Sequence, residues 1–126
     1  CQVGLLTGNM PVSAQMKLEY FGLWQSFEFG IFGDTVAHRP DLSGQVMSVV
    51  NNHSGHEVPA QCIIVVGDTP LDVQLALALQ ARCLAVCTGG FTADELLTAG
   101  ACRAVDDLSA TTDLVEWIFT QTELKL

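Results

Sequence analysis

Along this chain, short unbroken apolar runs alternate with longer stretches in which apolar residues recur at helical spacing. Val3 to Thr7 reads as a short strand that ends in Thr7-Gly8-Asn9. Pro11 then opens a helix whose apolar stripe is Val12, Met16, Tyr20 and Leu23, with Gly22 as its stop. Phe29 to Phe32 is a second strand ending in Gly33-Asp34, followed by a polar loop from Thr35 to Pro40. From about Asp41 a helix carries Leu42, Val46, Val49 and Val50 on one face, and His53 to Pro59 is a polar connection. Ile63 to Val66 is a β-branched run that predicts a strand buried on both faces of a parallel sheet. Gly67 ends it, Thr69 can cap the next helix, and Pro70 sits at the first helical position, where its missing N–H costs nothing. Cys83 to Cys87 is a third run of the same kind, and Thr88-Gly89-Gly90 makes the turn after it. Thr92 and Glu95 form a capping box for a short helix ending at Gly100. Cys102 to Val105 is a weak last strand, and Ser109 can cap a final helix with Leu114, Val115, Ile118 and Phe119 inward.

The pattern is a strand-helix unit repeated five times with short loops, which predicts an α/β fold with a parallel sheet wrapped by helices. No internal repeat, low-complexity tract or interdomain linker interrupts it, so residues 1–126 read as a single domain.

Composition narrows the function. With 126 residues, 49% of them hydrophobic, the chain can bury a real core. No apolar run approaches the roughly 20 residues of a membrane span, and the first residues do not read as a signal peptide. A net charge of −9, from 5 basic and 14 acidic residues, argues against nucleic acid or an anionic membrane as partner. The cysteines Cys1, Cys62, Cys83, Cys87 and Cys102 fall mostly inside apolar runs and form no Cys-x-x-Cys pair. They read as buried small hydrophobes in a reducing compartment, with the cytoplasm as the default location.

Several strands end in residues that carry chemistry: Thr7 and Asn9, Asp34 with Arg39 just beyond, then Asp68 and Asp72. Parallel strands put their carboxyl ends on one edge, where ligands bind in open α/β sheets. Thr7 offers a hydroxyl, and the amides of Gly8 and Asn9 at a helix N-terminus are suited to phosphate. Arg39 can neutralise an oxyanion. Asp68 can hold Mg²⁺, a hard cation that takes carboxylates plus water and phosphate oxygens. Plainer readings stand beside these. Asp72 is at the third helical position, where a carboxylate favours the helix N-terminus whatever the function. Thr7 and Asn9 can simply end a strand and cap a helix, and Asp34 reads first as a turn residue. Lys17 is most simply an exposed polar residue in mid-helix. His38, His53 and His56 have no metal-ligand spacing, and the last two fall on a solvated loop.

Taken together, these residues resemble the haloacid dehalogenase-like (HAD) hydrolase superfamily, and its phosphoglycolate phosphatase-like group in particular. Leu5-Leu6-Thr7-Gly8-Asn9 is similar to the family's second motif, a strand ending in Thr or Ser that binds the transferring phosphoryl group. Gly67-Asp68-Thr69-Pro70-Leu71-Asp72 is similar to its fourth, GDTxxD, whose first Asp ligates Mg²⁺ and whose second supports the site. Arg39 sits where the third motif's cation is expected; the family usually has Lys there, and Lys17 is a rival for the role. Thr88-Gly89-Gly90-Phe91 resembles the turn after the next strand. The resemblance implies a Rossmann-like three-layer sandwich and hydrolysis of a phosphate monoester of a small metabolite through an aspartyl-phosphate. Metal-free dehalogenases of the same superfamily fit GDTxxD less well.

The family's first motif, DxDxT, which supplies the nucleophilic Asp and a general acid/base Asp, has no match in these residues. The cap usually inserted between the first two motifs has none either. In the family the first strand lies between the equivalents of the Val3–Thr7 and Ile63–Val66 strands, so a gap is expected there. The preferred explanation is a fragment of a longer protein; direct pairing of the two strands, or filling of the slot by a second copy or partner, is the alternative. On this reading the chain alone is inactive. The rival is a truncated isoform or pseudoenzyme that binds metal or a protein.

Overall fold

The computed structural model describes residues 2–7, 11–32 and 42–123, with the backbone alone at 120–123. Gly8, Asn9, Asp34, His38 and Arg39 lie outside the described residues. The chain divides into two compact units, Cys1–Glu57 and Val58–Leu126.

In the first unit, β1 (Gly4–Thr7) and β2 (Phe29–Phe32) pair in parallel from Gly4↔Phe29 to Thr7↔Phe32. Between them run α1 (Pro11–Tyr20) and a 3₁₀ turn at Trp24–Ser26. Gly22, at φ 69°, takes the left-handed backbone that ends the helical stretch. After β2, α2 (Ser43–Ser54) packs on that strand, with Leu42 and Val46 buried as the apolar spacing predicts. Two expectations change here. His53 belongs to the last turn of α2, which continues to a left-handed Gly55, so only His56 of the pair is in the connection. The His53 ring lies 5.0 Å from that of Phe29, with Nε2 3.9 Å from Glu28 Oε1. The α1 stripe also faces outward: Ala14 is the buried residue of this helix, while Val12, Met16 and Tyr20 are exposed. The spacing was helical, but α1 has apolar residues on two faces, and the smaller side chain meets the core.

In the second unit, a 3₁₀ turn at Ala60–Cys62 leads into β3 (Ile64–Gly67), followed by α3 (Pro70–Leu79), β4 (Arg82–Val86), α4 (Ala93–Ala99), β5 (Arg103–Val105) and α5 (Thr111–Glu123). The strands form a parallel sheet in the order β3-β4-β5, with Ile64↔Arg82 through Gly67↔Ala85 and Leu84↔Arg103 through Val86↔Val105. Every residue of the central strand β4 is buried. The double-sided burial predicted for Ile63–Val66 therefore belongs to β4, because β3 pairs on one side alone among the described residues. Val65 is buried, whereas Val66 is exposed. Val66 shares the face of Leu84, and on that face Trp117 of α5 lies over Arg82 and Arg103 of the neighbouring strands, at 5.5 and 5.8 Å from its ring centroid.

The inward face of α5 also differs from the sequence reading. Leu114 is buried, but Val115 and Phe119 are exposed, and Trp117 takes their place against the sheet. Arg103 also pairs with Asp113 on the same helix. Ser109 does not cap this helix; its N–H and hydroxyl donate to the Asp107 carboxylate, which lowers the Asp107 pKa. The Thr92–Glu95 capping box is present, with Glu95 N–H donating to Thr92 Oγ1 at 3.2 Å. No helix of the described residues is long and apolar enough to cross a membrane.

Candidate active site at the end of β3

The turn from β3 into α3 is built around one buried carboxylate. Pro70 begins α3, Thr69 is its N-cap with extended backbone, and Asp72 is the third helical residue. Asp72 is 4% exposed. Its Oδ2 accepts from Asp68 N–H at 3.1 Å, Thr69 N–H at 3.2 Å and Thr69 Oγ1–H at 3.0 Å. Three donors on one oxygen fix the backbone of Asp68 and Thr69 relative to the helix. This is the capping role foreseen for Asp72, extended to the whole turn.

Two glycines make room for the carboxylates. A β-carbon at Gly67 would overlap the Asp72 carboxyl group, so only glycine lets that side chain fold back under the strand end. A β-carbon at Gly89 would stand 2.5 Å from Asp68 Oδ2 and 3.0 Å from the Asp68 carbonyl oxygen. The Asp68 side chain therefore lies against the Thr88-Gly89-Gly90 turn. The register explains the meeting: Gly67 pairs with Ala85, so the turns after β3 and β4 emerge side by side at the carboxyl edge. Asp68 itself is part-buried.

Beneath the turn lies Cys83. It pairs with Val65 in the sheet and is 2% exposed. Burial first, and then the negative charges of Asp72 and Cys102, push its thiol up to about 12. Cys83 is thus a neutral group at working pH, and its thiol feels the Asp72 carboxylate. The sequence reading treated Cys83 only as a small hydrophobe and did not connect Gly89 with Asp68. A glycine following each of two neighbouring strands was the available signal for the latter.

Of the other predicted site residues, Thr7 stands at the carboxyl end of β1, part-buried, in the first unit. Lys17 is exposed in the last turn of α1, as its plain reading had it. Gly8, Asn9 and Arg39 fall outside the described residues. The structure thus brings together Asp68, Asp72 and the Gly89 turn. Among the described residues, no three His, Cys, Asp or Glu side chains cluster as a complete metal cage. The donor set nevertheless suits Mg²⁺, which takes one or two carboxylates and keeps several waters.

An α/β unit of parallel strands with paired carboxylates at the strand ends defines a class of fold and site, and comparison with known proteins places the chain within it. A family model described as HAD-hydrolase-like matches residues 43–111, more than half of the sequence, and the chain belongs to that family. No curated protein matches. Among solved structures, a protein described as a β-phosphoglucomutase from Thermotoga maritima is similar over 91% of this chain and 52% of its own, with TM-score 0.75 and 22% identity. A hydrolase from Pseudomonas syringae is similar over 86% of this chain and 48% of its own, with TM-score 0.65 and 25% identity. A HAD family hydrolase from Deinococcus radiodurans, with bound phosphate and sodium, is similar over 92% and 52%, with TM-score 0.72 and 17% identity. The chain spans about half the length of these proteins. The α/β, Rossmann-like fold expected from the sequence is the fold of these neighbours.

Proposed function

We propose that this chain carries the metal-holding part of a Mg²⁺-dependent phosphate monoester hydrolase acting on a small phosphorylated metabolite. The observation that carries the reading is the β3–α3 turn, where Asp72 fixes the backbone of Asp68 and Asp68 lies beside the Gly89 turn at the carboxyl edge. Asp68 would hold the ion, and Asp72 would keep the turn in shape and orient its surroundings. Bound there, Mg²⁺ would supply positive charge to phosphate oxygens. The other parts of the reading come from the family resemblance. Thr7, with the amides of Gly8 and Asn9, would hold phosphate oxygens, and Arg39 or Lys17 would balance their charge. A carboxylate outside these residues would attack phosphorus, forming an aspartyl-phosphate as the ester oxygen leaves, and water would then release phosphate. The phosphate held by the Deinococcus radiodurans hydrolase agrees with this substrate class.

A non-catalytic, metal- or protein-binding role is the second reading; the absence of DxDxT from residues 1–126 is compatible with either. Assay of p-nitrophenyl phosphate hydrolysis addresses both. The 126-residue chain is expected to show no Mg²⁺-dependent turnover, and robust turnover would overturn the division of labour given above. A longer protein that contains this chain is expected to hydrolyse the ester and to lose that activity in Asp68→Asn. Retained activity in Asp68→Asn would refute the role of Asp68, and an inactive longer protein would favour the second reading.

A further inference from the structure

The site described above gives no role to Cys102, yet the sheet sets it beside Cys83. Leu84 pairs with Arg103, so one residue earlier Cys83 meets Cys102, just before β5. The Cys102 N–H donates to the Cys83 carbonyl oxygen at 2.9 Å. Side chains alternate along a strand. Arg82 and Arg103 both reach Trp117 on one face, so the residue next to each, Cys83 and Cys102, turns to the opposite face. The charges of Asp72 and Cys102 both act on the Cys83 thiol, as this placement requires.

The two thiols differ in access. Cys83 is 2% exposed, whereas Cys102 is open to solvent, contrary to the burial that the sequence suggested for the cysteines. Neighbouring strands stand about 4.8 Å apart, and a disulfide spans Cα separations of roughly 4.4–6.8 Å. Cys87 lies four residues on from Cys83, about 13 Å away at the rise of a strand, too far to compete.

We propose that Cys83 and Cys102 form a reversible disulfide. Cys102 meets a small disulfide oxidant, such as oxidised glutathione, and Cys83 resolves the adduct. In the first step the Cys102 thiolate attacks one sulfur of the oxidant, forming a mixed disulfide and releasing one glutathione thiol. In the second, Cys83 attacks the Cys102 sulfur and expels the second glutathione, which takes up the Cys83 proton. Two protein thiols are thereby oxidised to one disulfide, and one small disulfide is reduced to two thiols. Loss of the buried proton makes the second step the slower one. An outside reagent must enter the core to reach Cys83, but the Cys102 sulfur already stands beside it. In the reducing compartment expected from the sequence, such a bridge is a transient, redox-responsive one. It forms directly beneath the β3–α3 turn, because the Cys83 thiol neighbours Asp72.

The test is to incubate the folded 126-residue chain with oxidised glutathione, alkylate the remaining thiols and digest without reduction. Cleavage after Arg82, Glu95 and Arg103 separates residues 83–95 from 96–103, so a bridge appears as linked ions of the two in mass spectrometry. The wild-type chain is expected to pass through a glutathione adduct at Cys102 and end as the linked pair. Cys87→Ser is expected to keep the linked ions. Cys83→Ala is expected to lose them entirely and to hold glutathione on Cys102, and Cys102→Ser to show neither. A wild-type chain that forms no link, or that stops at the adduct, would overturn the proposal. So would linked ions that survive Cys83→Ala or vanish in Cys87→Ser, either of which would make Cys87 the partner of Cys102.

Discussion

Cys83 shows how a single residue type acquires a different meaning once its neighbours are known. In the sequence it is one apolar position in a strand. In the fold it is 2% exposed, beside Asp72 and next to Cys102 just before β5, whose N–H donates to the Cys83 carbonyl oxygen at 2.9 Å. Its thiol is raised from 9.0 to about 12, which means that folding opposes the thiolate. A raised pKa contributes stability fully below the unfolded value and loses it as pH rises through the folded one. Stability should therefore fall as pH climbs from about 9 toward 12, and the fall should be shallower in Cys83→Ala. Iodoacetamide at pH 8 should modify the exposed Cys102 readily and reach Cys83 only on unfolding. Rapid labelling of Cys83 in the folded chain, or an unchanged alkaline slope in the variant, would contradict this picture.

At the scale of elements, the β3–α3 turn is where local sequence and tertiary structure agree most fully. Thr69, Pro70 and Asp72 are a helix start that can be read without coordinates, and the structure has that start. Substituting Asp72 by Ala leaves three donors without their acceptor in a part-buried turn, at a cost of about 2–4 kcal/mol. Asp72→Asn keeps an oxygen of similar shape and should cost less. Urea denaturation of both variants measures this, and an Asp72→Ala chain as stable as wild type would show that the turn does not depend on the carboxylate. Other elements were less legible, for definite reasons. Periodicity located α5 but not its inward face, because Trp117 stacks under two arginines that come from different strands. It located the α1 stripe but not its direction, because α1 carries apolar residues on both faces. Ser109 looked like a cap because serine caps well, but Asp107 two residues earlier captures both of its donors.

For the whole molecule, the alternation of strand and helix was enough to place the chain among α/β proteins, and the family match agrees. The order of strands within the sheet was not legible from periodicity, which cannot tell an edge strand from a central one. That is why burial expected of β3 is found in β4. The site was legible in part. Asp68 and Asp72 stand out as acidic residues following a buried strand, but the contribution of Gly89 depends on β3 and β4 being neighbours. The central claim is that Asp68, held by Asp72 and backed by Gly89, is a Mg²⁺ ligand. The most direct test is a Mg²⁺ titration of the ¹⁵N-labelled chain followed by its amide resonances. The account predicts saturable shifts centred on Asp68, Thr69 and Thr88 to Gly90, abolished in Asp68→Asn with the rest of the spectrum unchanged. Resonances that do not move at millimolar Mg²⁺, or shifts that survive Asp68→Asn, would contradict it.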